Sequence, residues 1–362
     1  MTEGERGYWF AFNFIDGIGP ARFALLRSHF GSAEEAWDAS EHALQAIGVP
    51  APAIKNILTT RRSFDPKENL DKIRKQNIDP ITLLDAAYPN LLKTIPDPPF
   101  VLYARGDSTL LQTSCIAVVG TRKMTSYGQT VTETITNGLV DAGLTIVSGL
   151  ALGVDGEAHR TTLEHGGKTI AVLGCGVDCI YPPRHKGLAD AILREGGAII
   201  AEAPLSRWVS RGIFPARNRI VSGLSLGVVI CEAAERSGAL ITARLALEQG
   251  REVFAIPGPI TSQFSKGPSQ LIQQGAKLAA SVEDILSELP NFSASGIKKA
   301  ETRQPQSKEE QAIVGALQAN VQSLDDLIGT TQLPASTLMA AMSMLELKGW
   351  IRLQTDGKYA LV

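Results

Sequence analysis

The sequence predicts an α/β protein built on a doubly wound parallel sheet, with a small helical domain before the sheet and a winged-helix domain after it. Three observations carry this. Short apolar runs closed by a small residue or an acid alternate with stretches long enough for a helix, which is the rhythm of a parallel sheet. Ahead of them lie helix-like segments joined by a Gly-x-Gly turn, and behind them three helix patterns and a hairpin close the chain.

Taken in order, the first domain covers residues 1–80, its main helices ending near Arg62. FIDGIGPARFALLRSHFG and a weaker LQAIGVP read as related segments. The turn Gly17-Ile18-Gly19 has two readings. In helix-hairpin-helix modules such a turn brings backbone amides to a DNA phosphate, and it is also a common way to join two packed helices. Arg22 and Arg27 lie nearby without making a dense basic face.

The central domain covers residues 81–290. Proline-rich turns flank two strand-like runs before Ile116. Then come IAVVG from Ile116, TIVSG from Thr145, TIAVLG from Thr169, AIIAE from Ala198, GVVICE from Gly227 and REVFAIPG from Arg251. A parallel sheet places its strand ends on one edge, so Gly120, Gly149, Gly174, Glu202, Glu232 and Pro257-Gly258 are expected around one crevice. The stretch IAVVGTRKMTSYG (Ile116 to Gly128) reads as strand, tight turn and helix, with the strand buried on both faces. Gly120 permits a sharp turn where a side chain would block whatever docks, and Ser126 is placed to cap the helix. Outward amides at such a turn favour an anion, most often a phosphate. Arg122 either adds a full charge at that spot or merely faces solvent.

Residues 291–306 are polar, lack periodicity and read as a linker. The domain at 307–362 has KEEQAIVGALQAN, SLDDLIGTTQLP and PASTLMAAMSMLELKGW as helices, the last opened by Pro334, then IRLQTDGKYALV as a hairpin turning on Asp356 and Gly357. That is the winged-helix pattern. Its groove-reading helix, about Ala335 to Lys348, offers only Lys348 as a base and carries Glu346, which favours a protein-facing or regulatory wing over a DNA reader.

Composition bounds the function. A chain of 362 residues, 44% hydrophobic and 20% charged, has room for two or three globular domains. A net charge of -2 means that any polyanion site is a local basic patch. Cys115, Cys175, Cys179 and Cys231 sit in or beside apolar runs and read as reduced core residues, without the paired spacing of a zinc site. No secretory leader and no transmembrane run are apparent, so the expected compartment is the cytoplasm.

Several enzyme classes fail on particular residues. The first turn is Gly120-Thr121-Arg122-Lys123 rather than G-x-G-x-x-G, and the second strand ends in Ser148-Gly149 where a dinucleotide site wants an acid. Gly166-Gly167-Lys168-Thr169 imitates a P-loop, but Thr162 stands where its first glycine belongs and the string precedes a strand. Asp155 and His159 could pair for acid-base work on one helix face, yet no nucleophile accompanies them, and a capping Asp with a packed His is the commoner arrangement. Glu202 and Glu232 could hold a nucleobase, a metal or an arginine. The positive signal is guanidinium at small-residue turns: Arg122, Arg184 with Lys186 after Tyr181-Pro182-Pro183, Arg217 and Arg219 in FPARNR, and Arg236 before Ser237-Gly238. Arginine suits bidentate phosphate contact and base stacking, so the edge suggests an oligonucleotide rather than a small metabolite.

VVGTRKMTSYG (Val118 to Gly128), IVSGLALGVDGEAH (Ile146 to His159), TIAVLGCGVDCIYP (Thr169 to Pro182), FPARNRIVSGLS (Phe214 to Ser225) and SGALITARLALEQGREVFAIPG (Ser237 to Gly258) resemble the DNA-processing protein A family, DprA or Smf, in order and spacing across about Tyr88 to Ile285. The resemblance implies a sterile-alpha-motif-like helical domain, an extended Rossmann core and a winged helix. It implies a non-enzymatic protein, without catalytic residues, cofactor or metal. Such a protein binds and protects single-stranded DNA, dimerises through the core and loads the RecA recombinase in natural transformation. Carried over by motif, the DNA-binding residues are Gly120, Thr121, Arg122, Lys186, Arg217, Asn218 and Arg219. Ser148, Gly149, Glu202, Glu232, Ser237 and Gly238 line the pocket. Thr121 replaces the family's usual Ser and keeps the hydroxyl, while Ser269 replaces an Asn in the later G-x-N-x-L-I pattern. The rival class is a Rossmann-type phosphoribohydrolase, whose P-G-G-x-G-T signature is missing because Pro257-Gly258 continues as Pro259-Ile260. A purely scaffolding partner of the recombinase is the third reading.

Overall fold

The computed structural model describes residues 1–210, 212–290, 307–319, 323–347, 350–353 and 357–361. The expected linker at 291–306, Lys348 and the turn residue Asp356 lie outside the described residues.

Six helices come first: α1 (Glu3–Asn13), α2 (Pro20–Phe30), α3 (Ala33–Asp38), α4 (Glu41–Ala46), α5 (Ala51–Arg61) and α6 (Pro66–Lys75). Local chemistry starts several of them. Ser32, Ser40 and Asp65 accept from the amides of Glu35, Ala43 and Glu68, satisfying helix-start donors that would otherwise be orphaned. Their apolar faces do not close a core of their own. Trp9, Phe10, Phe23 and Trp37 form one cluster with Tyr103, Leu173 and Ala201 of the sheet, and Phe23 stacks on Phe100 at 4.1 Å. The helices are therefore a layer on the sheet, within the compact unit Met1–Ile297.

That unit continues with β1 (Ile78–Thr82), α7 (Asn90–Lys93), β2 (Val101–Gly106), β3 (Cys115–Val119), α8 (Ser126–Asp141), β4 (Thr145–Ser148), α9 (Val154–Glu164), β5 (Thr169–Leu173) and α10 (Lys186–Arg194). Then follow β6 (Ala198–Ala201), α11 (Ile213–Gly223), β7 (Gly227–Ile230), α12 (Gly238–Glu248), β8 (Glu252–Ala255), α13 (Lys266–Gln273), β9 (Lys277–Leu278) and α14 (Val282–Leu286). The sheet order is β1-β2-β6-β5-β4-β3-β7-β8-β9. Strands β3 to β9 pair in parallel, whereas β1 and β2 join antiparallel at one edge, so the sheet is mixed there. Succession runs outward from β3 to β6 on one side and from β7 to β9 on the other. The order reverses between β3 and β7, where a ligand crevice belongs.

Burial follows the two-residue period of a strand. Cys115, Ala117 and Val119 face a cluster that includes α11 and α12 residues, while Ile116 and Val118 face one that includes Ile135, Leu139, Val154 and Ala158 of α8 and α9. Two local expectations are corrected. The cap of α8 is Thr125, whose hydroxyl accepts from Gly128 N at 3.1 Å, and Ser126 is the first helical residue. Thr125 has the extended backbone of a cap and Ser126 is already in the helix. The two-residue β9 was not foreseen, because both of its side chains are exposed and leave no apolar signal.

The second unit, Lys298–Val362, holds α15 (Lys308–Ala319), α16 (Leu324–Thr331), α17 (Ala335–Leu347), β10 (Ile351–Leu353) and β11 (Tyr359–Leu361). Ser323 and Asp326 form a capping box at α16, and Ile351 pairs with Leu361 across an antiparallel wing. Ile313, Leu317, Leu327, Leu338, Leu345 and Ile351 supply its own core. Three helices and a two-stranded wing are as expected.

Candidate nucleic-acid interface

Helix α11 lies across the strand-end edge and separates two clefts. The first, about 380 Å³, opens at the β3/β7 reversal and is lined by Gly120, Arg122, Gly149, Phe214, Asn218 and Ser237, among others. The second, about 500 Å³, is lined by Asp16, Asp97, Phe100, Glu202, Arg207 and Arg219, among others. Arg217 reaches both.

Arg122 is the exposed cation of the first cleft. Its guanidinium carbon sits 5.1 Å from the Phe214 ring centroid, and among the described residues it forms no ion pair with a carboxylate. Tyr181 lies beside Phe214, with 5.8 Å between ring centroids. Arg122, Tyr181, Pro182 and Phe214 line a small recess beside the main cleft. The α12 N-terminus borders the same cleft: Ser237 accepts from Ala239 N at 3.3 Å, and Gly238 O accepts from the Asn218 amide at 3.4 Å. An aromatic wall, an unpaired guanidinium and a helix N-terminus can together hold a base and its phosphate.

The other arginines of FPARNR are braces. Arg217 is 6% exposed and donates to Gly149 O at 2.7 Å and to Val172 O, tying the ends of β4 and β5. Burial pushes its pKa down, with the Asp155 carboxylate opposing. Burial pushes Asp155 up, with Arg217 opposing, and Asp155 Oδ2 accepts from Gly149 N at 3.1 Å. A Cβ on Gly149 would meet the Arg217 guanidinium and lie 2.7 Å from Asp155 Oδ2, so only glycine lets these charges face each other. Arg219, 7% exposed, is held by Asp97 at 2.8 Å and Glu202 at 2.7 Å and lies in the second cleft with Glu202.

The first turn departs from the anion-site expectation. Glu232 places its own carboxylate at the start of α8, accepting from Thr125 N at 3.0 Å and from Thr125 Oγ1 at 2.7 Å. The protein itself supplies the anion. Gly120 is required by packing, since a Cβ there would lie 2.6 Å from Val154 Cγ2 and 2.8 Å from Glu232 O. Thr121 donates its amide to Glu232 O at 2.6 Å, and its hydroxyl accepts from Lys123 N at 3.1 Å, so it shapes the turn. Ser148 is fully buried and donates to Val118 O at 2.7 Å; it stitches β4 to β3 and does not line the cleft.

Lys186 is exposed at the start of α10 and is not among the cleft-lining residues, although Tyr181 and Pro182 of its turn line the side recess. Asp155 and His159 do not pair. The His159 ring bonds Thr169 Oγ1 at 2.7 Å, and burial, reinforced by His185 and Arg217, pushes its pKa down to about 3. The cysteines are free and buried. Among the described residues no His/Cys/Asp/Glu group could hold a metal ion, and no helix is long and apolar enough to cross a membrane. Sequence reasoning missed Phe214 as a site residue. The signal was present as an aromatic directly before Pro215 at a helix start on the strand-end edge.

Residues 79–290 match the family model for DNA recombination-mediator protein A, and residues 298–357 match that for the DprA winged helix domain. Protein Smf of Synechocystis is 34% identical over 99% of both chains. The X-ray structure of DNA processing protein A from Streptococcus pneumoniae superposes with a TM-score of 0.68 at 36% identity, covering 80% of this chain and 99% of that one. A structure of DNA processing protein A from Helicobacter pylori, described by its single-stranded DNA binding mode, superposes with a TM-score of 0.51 at 33% identity, covering 57% of this chain and 94% of that one. With the family's central model spanning the whole strand-end edge and its winged-helix model following, the chain belongs to the DNA recombination-mediator protein A family.

Proposed function

We propose that this protein binds single-stranded DNA at the first cleft, without catalysing a reaction and without a cofactor, and passes that DNA to a RecA-type recombinase. One observation carries the reading: among the described residues Arg122 has no carboxylate partner, and it stands over the aromatic face of Phe214, beside the α12 N-terminus. Phosphate goes to the guanidinium and the helix end, and a base goes to the Phe214 and Tyr181 rings. Asn218, Ser237, Gly238 and Gly149 shape the pocket, with Lys186 as an outlying contact. Gly120, Thr121, Arg217 and Arg219 hold the frame. The Helicobacter relative's binding mode supports the same choice of ligand.

The reading extends to a cytoplasmic homodimer that protects incoming DNA. Its functional divisions fall at residues 1–80, 81–290, 291–306 and 307–362, and the wing faces protein. Competition between single-stranded and duplex oligonucleotides of equal length tests the ligand, with a single-strand preference expected, because a narrow strand-end cleft admits splayed bases and excludes a helix. Equal affinity for duplex would sink it. Release of adenine from AMP would favour the phosphoribohydrolase alternative instead.

A further inference from the structure

The loop from Pro204 to Ser210 follows β6, ahead of α11 and on the same edge as Arg122 and Phe214. Trp208 on this loop is 70% exposed, whereas Trp9 and Trp37 are buried. The chain beneath it is fixed. Ser206 N donates to the Asp178 carboxylate at 2.8 Å, Arg207 O accepts from Gly176 N at 3.0 Å, and Arg207 Nη2 pairs with Asp16 at 2.5 Å. Ser206 itself takes the left-handed conformation at φ 61, so the loop turns sharply before the tryptophan. An indole held in water from an anchored base forgoes a large burial gain, which points to an occupant.

We propose that Trp208 is a base-stacking platform for single-stranded DNA leaving the Arg122–Phe214 cleft, an inference that rests on the single-strand reading above. Three features select a nucleobase. The neighbours Leu205 and Val209 pack inward on the core, so the surface offers one flat ring rather than the broad apolar patch a protein interface needs. The adjacent cation, Arg207, is already neutralised by Asp16, so this point suits a base rather than a phosphate. Six residues of chain reach at most about 22 Å, which keeps Trp208 within a few nucleotides of Phe214.

The test uses the full chain with Trp208→Ala and Trp208→Phe, titrated at fixed salt with a thymine oligonucleotide and with an abasic strand of the same length. Trp208→Ala is expected to bind the thymine strand about tenfold more weakly and the abasic strand unchanged, while Trp208→Phe keeps most of the affinity. Thymine strands should also quench wild-type tryptophan emission more than that of Trp208→Phe. Wild-type affinity in Trp208→Ala, or an equal loss on both strands, overturns the proposal. So does a change of oligomeric state in Trp208→Ala by light scattering, which would show a second copy covering the ring. If the wild type binds neither strand, the single-strand reading fails, and this inference with it.

Discussion

Glu232 and Thr125 lie 107 residues apart in the chain and join the end of β7 to the start of α8 through two hydrogen bonds, at 3.0 and 2.7 Å. The carboxylate does there what a bound phosphate does at other first-strand turns. It accepts from the amide and the hydroxyl of the cap residue, and an acid at a helix N-terminus gains from the macrodipole. The proposed binding site accordingly lies on the Arg122, Phe214 and α12 side of the cleft.

Glu232→Gln keeps the shape and removes the charge. The expected cost is about 1.5–3 kcal/mol of stability, the range for a hydrogen bond to a charged group, with single-strand affinity of the folded protein nearly unchanged. Urea unfolding and a binding titration on one preparation check both. Weaker binding at unchanged stability would return the anion site to α8.

Arg217→Ala leaves Asp155 buried without its opposing charge. The expected cost is about 3–5 kcal/mol, well above that of a surface substitution, because a stranded interior charge cannot be resolvated in place. Paired substitution with Asp155→Asn should recover part of the loss. A denaturant midpoint close to wild type for Arg217→Ala alone would remove Arg217 from the frame.

His159 sets an acid limit. Its folded pKa of about 3 lies below the ordinary value of about 6.5, so the unfolded chain binds the extra proton first. Stability therefore falls as pH drops from about 6.5 toward 3, by up to about 1.4 kcal/mol per unit from this group. His159→Gln should flatten the dependence of the urea midpoint on pH between about 6 and 4. An unchanged slope would mean that the ring is already protonated in the fold.

Residues 1–306 alone should bind single strands nearly as well as the full chain. Beyond residue 307 the sequence has the bases Lys308, Lys348, Arg352 and Lys358 against the acids Glu309, Glu310, Asp325, Asp326, Glu346 and Asp356. Phosphate binding needs clustered cations. A loss of about tenfold or more on truncation would make the wing a DNA element.

The sheet was legible because its strands are short, buried on both faces and stopped by glycine or an acid, as IAVVG and TIVSG show. The wing was legible from caps and periodicity. Relations between distant residues were not legible. Nothing near Thr125 announces Glu232, and nothing in FPARNR says that Arg217 turns inward to β4 and β5 carbonyls while Arg219 meets Asp97, 122 residues away. The helical layer read as a separate domain for the same reason, since Phe23 meets Phe100 only once the sheet exists.

The central claim is that Arg122 holds the DNA, and a salt-series titration of single-stranded oligonucleotide against wild type, Arg122→Lys and Arg122→Ala tests it most directly. Arg122→Ala should lose about 1.5–3 kcal/mol of binding, and its salt slope should flatten by about 0.7. Arg122→Lys should fall between the two, because it keeps the cation but loses the planar group that stacks on Phe214. Wild-type affinity and salt slope in a normally folded Arg122→Ala protein would contradict the account and move the DNA site elsewhere on the edge.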